Sequence, residues 1–185
     1  MKTLALNILD IVQNSIRAKA TEISIEIEES KANDLFVITI GDNGNGIPKK
    51  ILGNITNPFV TTRTTRKIGL GLSLLKYHAN LTGGGLKIDS EEGKGTVITA
   101  SFSYNHIDRQ PLGDIAGVII LLLTCDPETD IRYKHKTVTG EYFFSSKETK
   151  EYLEVETLND NSLLQEIKCM INENLKEISV SESIN

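Results

Sequence analysis

The stretch DNGNGIP, residues 42–48, directly follows a run of alternating apolar residues. Asp, Asn and Gly all tolerate left-handed backbone conformations, so this stretch alone is typical of a turn. Its neighbours in the chain change that interpretation. Asp10 and Asn14 lie on a predicted helix upstream, GLGL at residues 69–72 opens another helix downstream, and a Gly-Thr pair at residues 95–96 starts a later strand. Four pieces in this order predict a nucleotide site assembled from distant segments.

Composition and charge narrow the class of protein. The chain has 185 residues and 39% hydrophobic content, enough for one domain or one domain with a small appendage. Residues 105–185 carry 8 basic and 15 acidic side chains, an excess that argues against nucleic-acid binding. The longest apolar run, residues 115–123, is too short to cross a bilayer. With two widely separated cysteines and no secretory signal, we expect a cytoplasmic protein without membrane partners.

The spacing of apolar residues predicts an α+β fold. Helical and alternating patterns occur in the order helix, strand, strand, short helix, helix, strand, strand. Such an order predicts a two-layer α/β sandwich, with one mixed sheet and its helices on one face. The predicted segments are helices at 3–19, 49–53 and 70–81 and strands at 21–28, 35–40, 86–90 and 96–103.

A domain boundary is predicted where polar residues and a proline interrupt the pattern, at residues 104–111. Residues 1–104 then form the main domain, and residues 105–185 form a small α+β extension. In the extension we expect a helix at 115–124 capped by Asp114, a hairpin at 131–145, helices at 146–153 and 162–178, and a frayed end. Its expected role is a docking or dimerisation surface, so a homodimer is one expectation.

The first chemical candidate is a polar stripe on the first predicted helix. Asp10 and Asn14 are four residues apart and share a face, and Arg17 extends the stripe by another turn. A carboxylate beside an amide oxygen on a rigid helix can orient a water and hold a hydrated Mg²⁺. The alternative is a solvated polar face of an amphipathic helix.

The second candidate is the glycine-containing loop itself. Asp42 stands where the second strand ends, and its carboxylate can accept a hydrogen bond from an exocyclic amine such as that of adenine. Gly44 and Gly46 would let the backbone pass close to a flat ring. An ordinary Asn-Gly turn is the alternative.

The third candidate is the polar segment before the helix at 70–81. Gly69 and Gly71 stand at the start of that helix, where unpaired N–H groups bind phosphate. Threonines and basic residues precede them, a composition that suits a mobile lid over an anionic ligand. No G-x-x-x-x-G-K-[ST] motif is present, so a P-loop enzyme is excluded.

Taken together, the motifs resemble those of the GHKL superfamily, which joins gyrase-type topoisomerases, MutL proteins, Hsp90-type chaperones, histidine kinases and anti-sigma-factor kinases. Residues 10–18, DIVQNSIRA, resemble the N-box, and residues 42–46 resemble the G1 box. Residues 57–62, NPFVTT, are similar to the F-box of histidine kinases, and residues 69–72 resemble G2. The resemblance covers about residues 4–104.

This resemblance implies a Bergerat ATP-binding fold with ATP and Mg²⁺ as cofactors. It implies Asn14 as the Mg²⁺ ligand, Asp42 on the adenine amine and Thr96 supporting Asp42 through a water. Asp10 occupies the position of the family's general base, which is usually Glu in the ATPase branches, and Asp is one methylene shorter. The residues expected to bind the nucleotide are Asn14, Arg17, Asp42, Gly44, Gly46, Ile47, Phe59, Thr61, Thr62, Arg66, Lys67, Gly69, Leu70, Gly71, Leu72 and Thr96, with Asp10 as the catalytic residue.

Three activities fit these residues. The F-box and the glycine-rich G2 favour a kinase that passes the γ-phosphoryl group to a partner protein. The MutL-like character of residues 10–18 favours an ATP-hydrolysing conformational switch. Aspartate at position 10, where the ATPase branches usually have glutamate, fits a module that distinguishes ATP from ADP without turnover.

Overall fold

The computed structural model describes residues 3–52 and 71–179, and their secondary structure follows the predicted order. Its helices are α1 (Leu4–Arg17), α2 (Lys49–Leu52), α3 (Gly71–Leu81), α4 (Ile115–Cys125), α5 (Ser146–Leu153) and α6 (Asn161–Ser179). Its strands are β1 (Glu22–Ser30), β2 (Leu35–Asp42), β3 (Gly85–Glu91), β4 (Gly95–Ser103), β5 (Asp130–Lys136) and β6 (Glu141–Ser145).

The six strands form one mixed sheet in the order β3-β4-β2-β1-β5-β6. Neighbouring strands are antiparallel except β1 and β5, which run parallel. A parallel pair needs a crossover connection, and the chain between β4 and β5 supplies one through α4. The predicted α+β sandwich with a mixed sheet is therefore confirmed.

Strand alternation explains why the helices pack on one face. Ile23, Ile25 and Ile27 of β1 are buried, and their partners on β5 include Ile131 and Tyr133. The intervening side chains lie on the other face and form exposed cross-strand ion pairs, such as Arg132 with Glu22 and Lys136 with Glu28. One face is thus the core and the other is polar, as period-two patterning requires.

The chain after residue 104 extends the same sheet. β5 pairs with β1 along its whole length, and Thr129 donates a 3.0 Å hydrogen bond to the Ala20 carbonyl at the end of the α1–β1 turn. The connecting segment also reaches the start of α1, where the Leu4 and Ala5 amides donate to the carbonyls of Pro111 and Leu112. The boundary between residues 104 and 105 stays a prediction about independent folding.

A buried polar chain links β1 to the β5–β6 hairpin. The Tyr133 hydroxyl lies 2.6 Å from His135 Nδ1, and His135 Nε2 lies 2.9 Å from a Glu29 oxygen. Burial raises the pKa of Tyr133, so its hydroxyl keeps its proton. Both ring nitrogens of His135 thus have a hydrogen-bonding neighbour, Tyr133 on one side and Glu29 on the other.

A few predicted boundaries change. Asp114 caps α4 as predicted, since its carboxylate accepts from the Gly117 amide at 2.7 Å. Ser179, expected at a frayed end, is the last residue of α6, while the rest of that predicted end lies outside the described residues. Within the described ranges, no helix has both the length and the apolar character needed to cross a membrane.

Candidate functional site

Asp42 is fixed in orientation by two hydrogen bonds. It ends β2, where its register partner on β4 is Thr96. Its Oδ2 accepts a 2.7 Å hydrogen bond from the Ser15 hydroxyl, and its Oδ1 accepts a 3.0 Å hydrogen bond from the Gly44 amide. Carboxylate oxygens have about four lone-pair positions between them, so Asp42 retains the capacity to accept a ligand N–H.

The loop after Asp42 lies against the β3–β4 turn in a way that only glycine permits. Gly46 has φ +67°, and a Cβ there would overlap the Glu91 carbonyl. Gly95 has φ +113°, and a Cβ there would overlap the Asp42 carbonyl. The obstructing atoms are backbone atoms, which cannot move aside without shifting a strand. Because these two glycines have no Cβ, the loop after Asp42 and the β3–β4 turn can lie in direct contact.

A serine on β3 ties the loop to the closing strand. The Ser90 hydroxyl accepts a 2.8 Å hydrogen bond from the Ile47 amide and lies 2.9 Å from both the Gly95 carbonyl and the Thr96 hydroxyl. Thr96 is 7% exposed and beside Asp42 in register, which fits the expected supporting role. The water between Thr96 and Asp42 stays a prediction.

Asp10 lies against the first described residue of α3. A Cβ added to Gly71 would overlap the Asp10 carboxylate, with Oδ2 the nearest atom. A negative group near a helix N-terminus is favourable, and the same N–H groups are the ones expected to bind phosphate. The structure therefore brings the predicted base and the predicted phosphate-binding helix together.

The expected Mg²⁺ ligand, Asn14, lies on α1 and already has a cationic partner at its side-chain oxygen. Asp10 and Asn14 are half-buried one turn apart, and Arg17 donates a 2.6 Å hydrogen bond to Asn14 Oδ1. Among the described residues no group of three or more His, Cys, Asp or Glu side chains is placed to hold a metal. Magnesium commonly keeps several waters and takes other oxygens from substrate phosphates, so one or two protein oxygens suffice.

An open cleft lies beside Asp42. Its lining includes Leu52, Ile88, Ser90, Gly95 and Thr96. Leu72 is half-buried and packs against the core next to Gly71. Apolar side chains beside a fixed carboxylate match the needs of a purine ring, whose faces are apolar and whose edge carries an amine.

Several predicted site residues lie outside the described residues, and two that the structure adds were not predicted. The first group is Phe59, Thr61, Thr62, Arg66, Lys67, Gly69 and Leu70. The second is Ser15 and Ser90. Ser15 shares the buried face of α1 with Ile11 and Val12, and a polar residue on an apolar face was the available signal. Ser90 similarly continues the inward positions of Leu86 and Ile88 on β3.

Comparison with known proteins agrees with this geometry. Residues 2–106 match the family described as histidine kinase-, DNA gyrase B-, and HSP90-like ATPase. The chain belongs to this family. Residues 2–106 therefore carry an ATP-binding domain of the histidine-kinase-like type, and the predicted GHKL membership is confirmed.

Similar curated proteins include sensor histidine kinases. WalK of Bacillus subtilis (strain 168) is 34% identical over 102 residues, covering 51% of this chain and 17% of WalK. ZraS of Salmonella typhimurium (strain LT2) is 37% identical over 94 residues, covering 50% of this chain and 20% of ZraS. Sporulation kinase C of Bacillus subtilis is 36% identical over 89 residues, 48% of this chain and 21% of that kinase. The match thus spans about a fifth of these relatives' length.

A solved structure resembles more of the chain. The crystal structure of the N-terminal domain of a DNA repair protein superimposes with a TM-score of 0.52 at 18% identity, covering 77% of this chain and 52% of the other. At that identity the likeness shows the fold alone.

Proposed function

We propose that this chain binds Mg²⁺-ATP and transfers the γ-phosphoryl group to a side chain of a partner protein. The observation that supports nucleotide binding best is the orientation of Asp42, held by Ser15 on one oxygen and by the Gly44 amide on the other. A carboxylate held in this way selects a ligand N–H, as an adenine amine provides, over a ligand carbonyl.

The predicted site residues that the structure describes have the following roles in this proposal. Asp42 accepts from the adenine amine, and Gly44, Gly46 and Ile47 form the wall beside the ring. Asn14 is the oxygen donor toward the metal, which would supply charge neutralisation for the phosphates when bound, and Asp10 is the candidate base. The start of α3 at Gly71 donates N–H groups to a phosphate.

Transfer to another protein is favoured by the relatives named as kinases, and of the chain's three histidines the buried His135 is unsuited to accept the phosphoryl group. His135 is 4% exposed and occupied by Tyr133 and Glu29. His78 is half-buried on α3. In the transfer step, a nucleophile of the partner forms a bond to the γ-phosphorus while the bond to the β,γ-bridging oxygen breaks, and ADP leaves. If the nucleophile is a hydroxyl, its proton passes to a base, for which Asp10 is the candidate.

Calorimetric titration with ATP and ADP, with and without Mg²⁺, tests the binding. Asp42→Asn is expected to weaken ATP binding by at least 30-fold, about 2 kcal/mol, because an amide N–H₂ would face the adenine amine. Asp34→Asn, in the turn just before β2 and at the opposite end of that strand from Asp42, is the matched control and should leave ATP affinity unchanged. Equal affinities for wild type and Asp42→Asn would contradict the assignment.

Transfer is tested with γ-labelled ATP and candidate partner proteins. Label on a partner His or Ser, absent with Asp42→Asn, supports the kinase. Binding without transfer or phosphate release would instead identify a module that senses ATP against ADP.

ATP hydrolysis with a conformational switch is the second candidate, and the contact between Asp10 and Gly71 favours it. In this proposal the Asp10 carboxylate, beside the helix expected to bind phosphate, acts as the base for an attacking water. Phosphate release in the absence of any partner, lost in Asp10→Asn while ATP binding is retained, would support hydrolysis over transfer.

A further inference from the structure

The two edges of the sheet differ in how they are protected from other strands. The outward side chains of β3 are charged, with Lys87 and Asp89 paired at 2.6 Å. Charges on an edge strand prevent it from pairing with another chain. The opposite edge, β6, has the sequence EYFFS, and its central residue Phe143 is 49% exposed. Of these two edge strands, β6 is the one without a charged residue at its centre.

The backbone of β6 offers hydrogen-bonding groups on its free side. The β5–β6 hairpin closes with a hydrogen bond from the Thr137 amide to the Gly140 carbonyl, which sets the alternation along the strand. In an antiparallel pair, residues alternate between those bonded to the partner strand and those facing away. The backbone N–H and C=O groups of Tyr142 and Phe144 therefore point toward β5, and those of Glu141 and Phe143 point away from it. The Ser145 carbonyl accepts a hydrogen bond from the Thr149 hydroxyl at the start of α5. In the part of the chain that the structure describes, β6 has β5 as its only strand neighbour.

We infer that β6 pairs antiparallel with β6 of a second copy of this chain, about a two-fold axis at Phe143. This register places Phe143 opposite its own counterpart and Glu141 opposite Ser145, so that like charges do not face each other. Glu141 is already neutralised by Lys134, whose Nζ lies 3.0 Å away. The outward N–H and C=O groups of Phe143 then bond reciprocally, and the two exposed aromatic rings shield one another.

A second copy fits this edge because the strand is complementary to itself in register, charge and apolar content. The same pairing joins two six-stranded sheets into one. A five-residue strand pair with one aromatic ring on each side buries less than the ~1,200–2,000 Å² of a specific, stable interface. The dimer is therefore expected to be weak and to depend on protein concentration.

Sedimentation equilibrium of the full chain between micromolar and submillimolar concentrations tests the inference. Wild type should move from monomer toward dimer over that range, and Phe143→Lys should raise the dissociation constant at least tenfold. Leu35→Lys is the matched control, because Leu35 is an exposed apolar residue on the interior strand β2. A monomeric wild type, or a dimer equally weakened by both variants, overturns the inference.

Site-specific cross-linking tests the register of the β6–β6 pair independently of the stability of the dimer. In a Cys125→Ser/Cys169→Ser background, Phe143→Cys is treated with a short bismaleimide at the concentration where dimer forms. It should give a covalent dimer, whereas Val138→Cys at the hairpin tip should not. Val138 is 80% exposed, and five residues from the axis places its two copies roughly 30 Å apart. Equal cross-linking of both variants, or none at Phe143, overturns the inference.

Discussion

The Ser15 hydroxyl donates a 2.7 Å hydrogen bond to Asp42 Oδ2 and thereby joins the buried face of α1 to the end of β2. Ser15 is 4% exposed, so this hydrogen bond is sheltered from water. Burial strengthens a hydrogen bond and also makes a lost one costly. The helix that carries Asp10 and Asn14 is in this way connected to the residue proposed to bind adenine.

Removing this bond should weaken ATP binding without unfolding the protein. We expect Ser15→Ala to lower ATP affinity about tenfold, or ~1.4 kcal/mol, because the Asp42 carboxylate loses one of the two bonds that orient it. Ser103→Ala is the matched control, since Ser103 donates a similar 2.6 Å bond to Asp34 at the far end of the sheet. Calorimetric titration with ATP measures both. Equal losses in the two variants would show that the effect is not specific to the site.

Two glycines of one turn provide a test of close packing. Gly93 and Gly95 both have positive φ, +80° and +113°, but only Gly95 faces an obstacle, the Asp42 carbonyl. We expect Gly93→Ala to cost about 1 kcal/mol from backbone strain alone. Gly95→Ala should cost ~3 kcal/mol or more and abolish ATP binding, because backbone at Asp42 must shift. Urea unfolding compares the two, and similar costs would argue against the contact between the turn and β2.

The contact between Asp10 and Gly71 predicts a non-additive pair. The atom that a Cβ at Gly71 would overlap is the end of the Asp10 side chain, which can rotate away. Gly71→Ala should therefore leave the free energy of unfolding within about 1 kcal/mol, since alanine also favours the helix. Turnover or transfer should nevertheless fall at least tenfold because the carboxylate is displaced.

A double-mutant cycle separates this effect from damage to phosphate binding. Once Gly71→Ala has displaced the carboxylate, adding Asp10→Asn should cause little further loss. Gly85→Ala, at a glycine with open space around it, is the control and should retain activity. Fully multiplicative losses in the double variant would mean that the two residues act independently.

Much of this architecture could be predicted from the sequence because its signals are local. The period-two runs of β1 and β2 and the Asp114 cap of α4 each depend on a few neighbouring residues, and each is confirmed. The order of the N-box, G1 and G2 motifs similarly predicted the family. Such patterns need no knowledge of distant contacts.

What could not be predicted depends on pairing between distant segments. The parallel pairing of β5 with β1 joins residues more than 100 positions apart, and alternation along β5 is equally compatible with a separate hairpin. The contact of His135 with Glu29 joins residues 106 positions apart, so no pattern near His135 predicts it. The roles of Ser15 and Ser90 likewise become evident only from their contacts with Asp42 and Thr96 in the folded chain.

The junction between β5 and α5 should control acid stability. Burial by itself raises the pKa of Asp130, but hydrogen bonds from the Lys147 amide, Arg132 and the Ser146 hydroxyl together hold that pKa below its ordinary value of 3.8. A carboxyl group with a lowered folded-state pKa stabilises the protein above the unfolded-state value. That contribution disappears as the pH falls through the folded-state pKa.

Asp130→Asn should therefore destabilise the protein at pH 7 by about 1–2 kcal/mol, because a neutral amide replaces an acceptor of charge-assisted bonds. The difference from wild type should shrink as the pH falls below about 4 and through the lowered folded-state pKa of Asp130, since the carboxyl group then becomes neutral in the folded protein as well. Asp108→Asn, at an exposed loop carboxylate, is the control and should follow wild type throughout. Urea unfolding at a series of pH values measures all three proteins. A constant difference between Asp130→Asn and wild type from pH 7 to pH 2 would show that packing at the start of α5, rather than the charge of Asp130, is responsible.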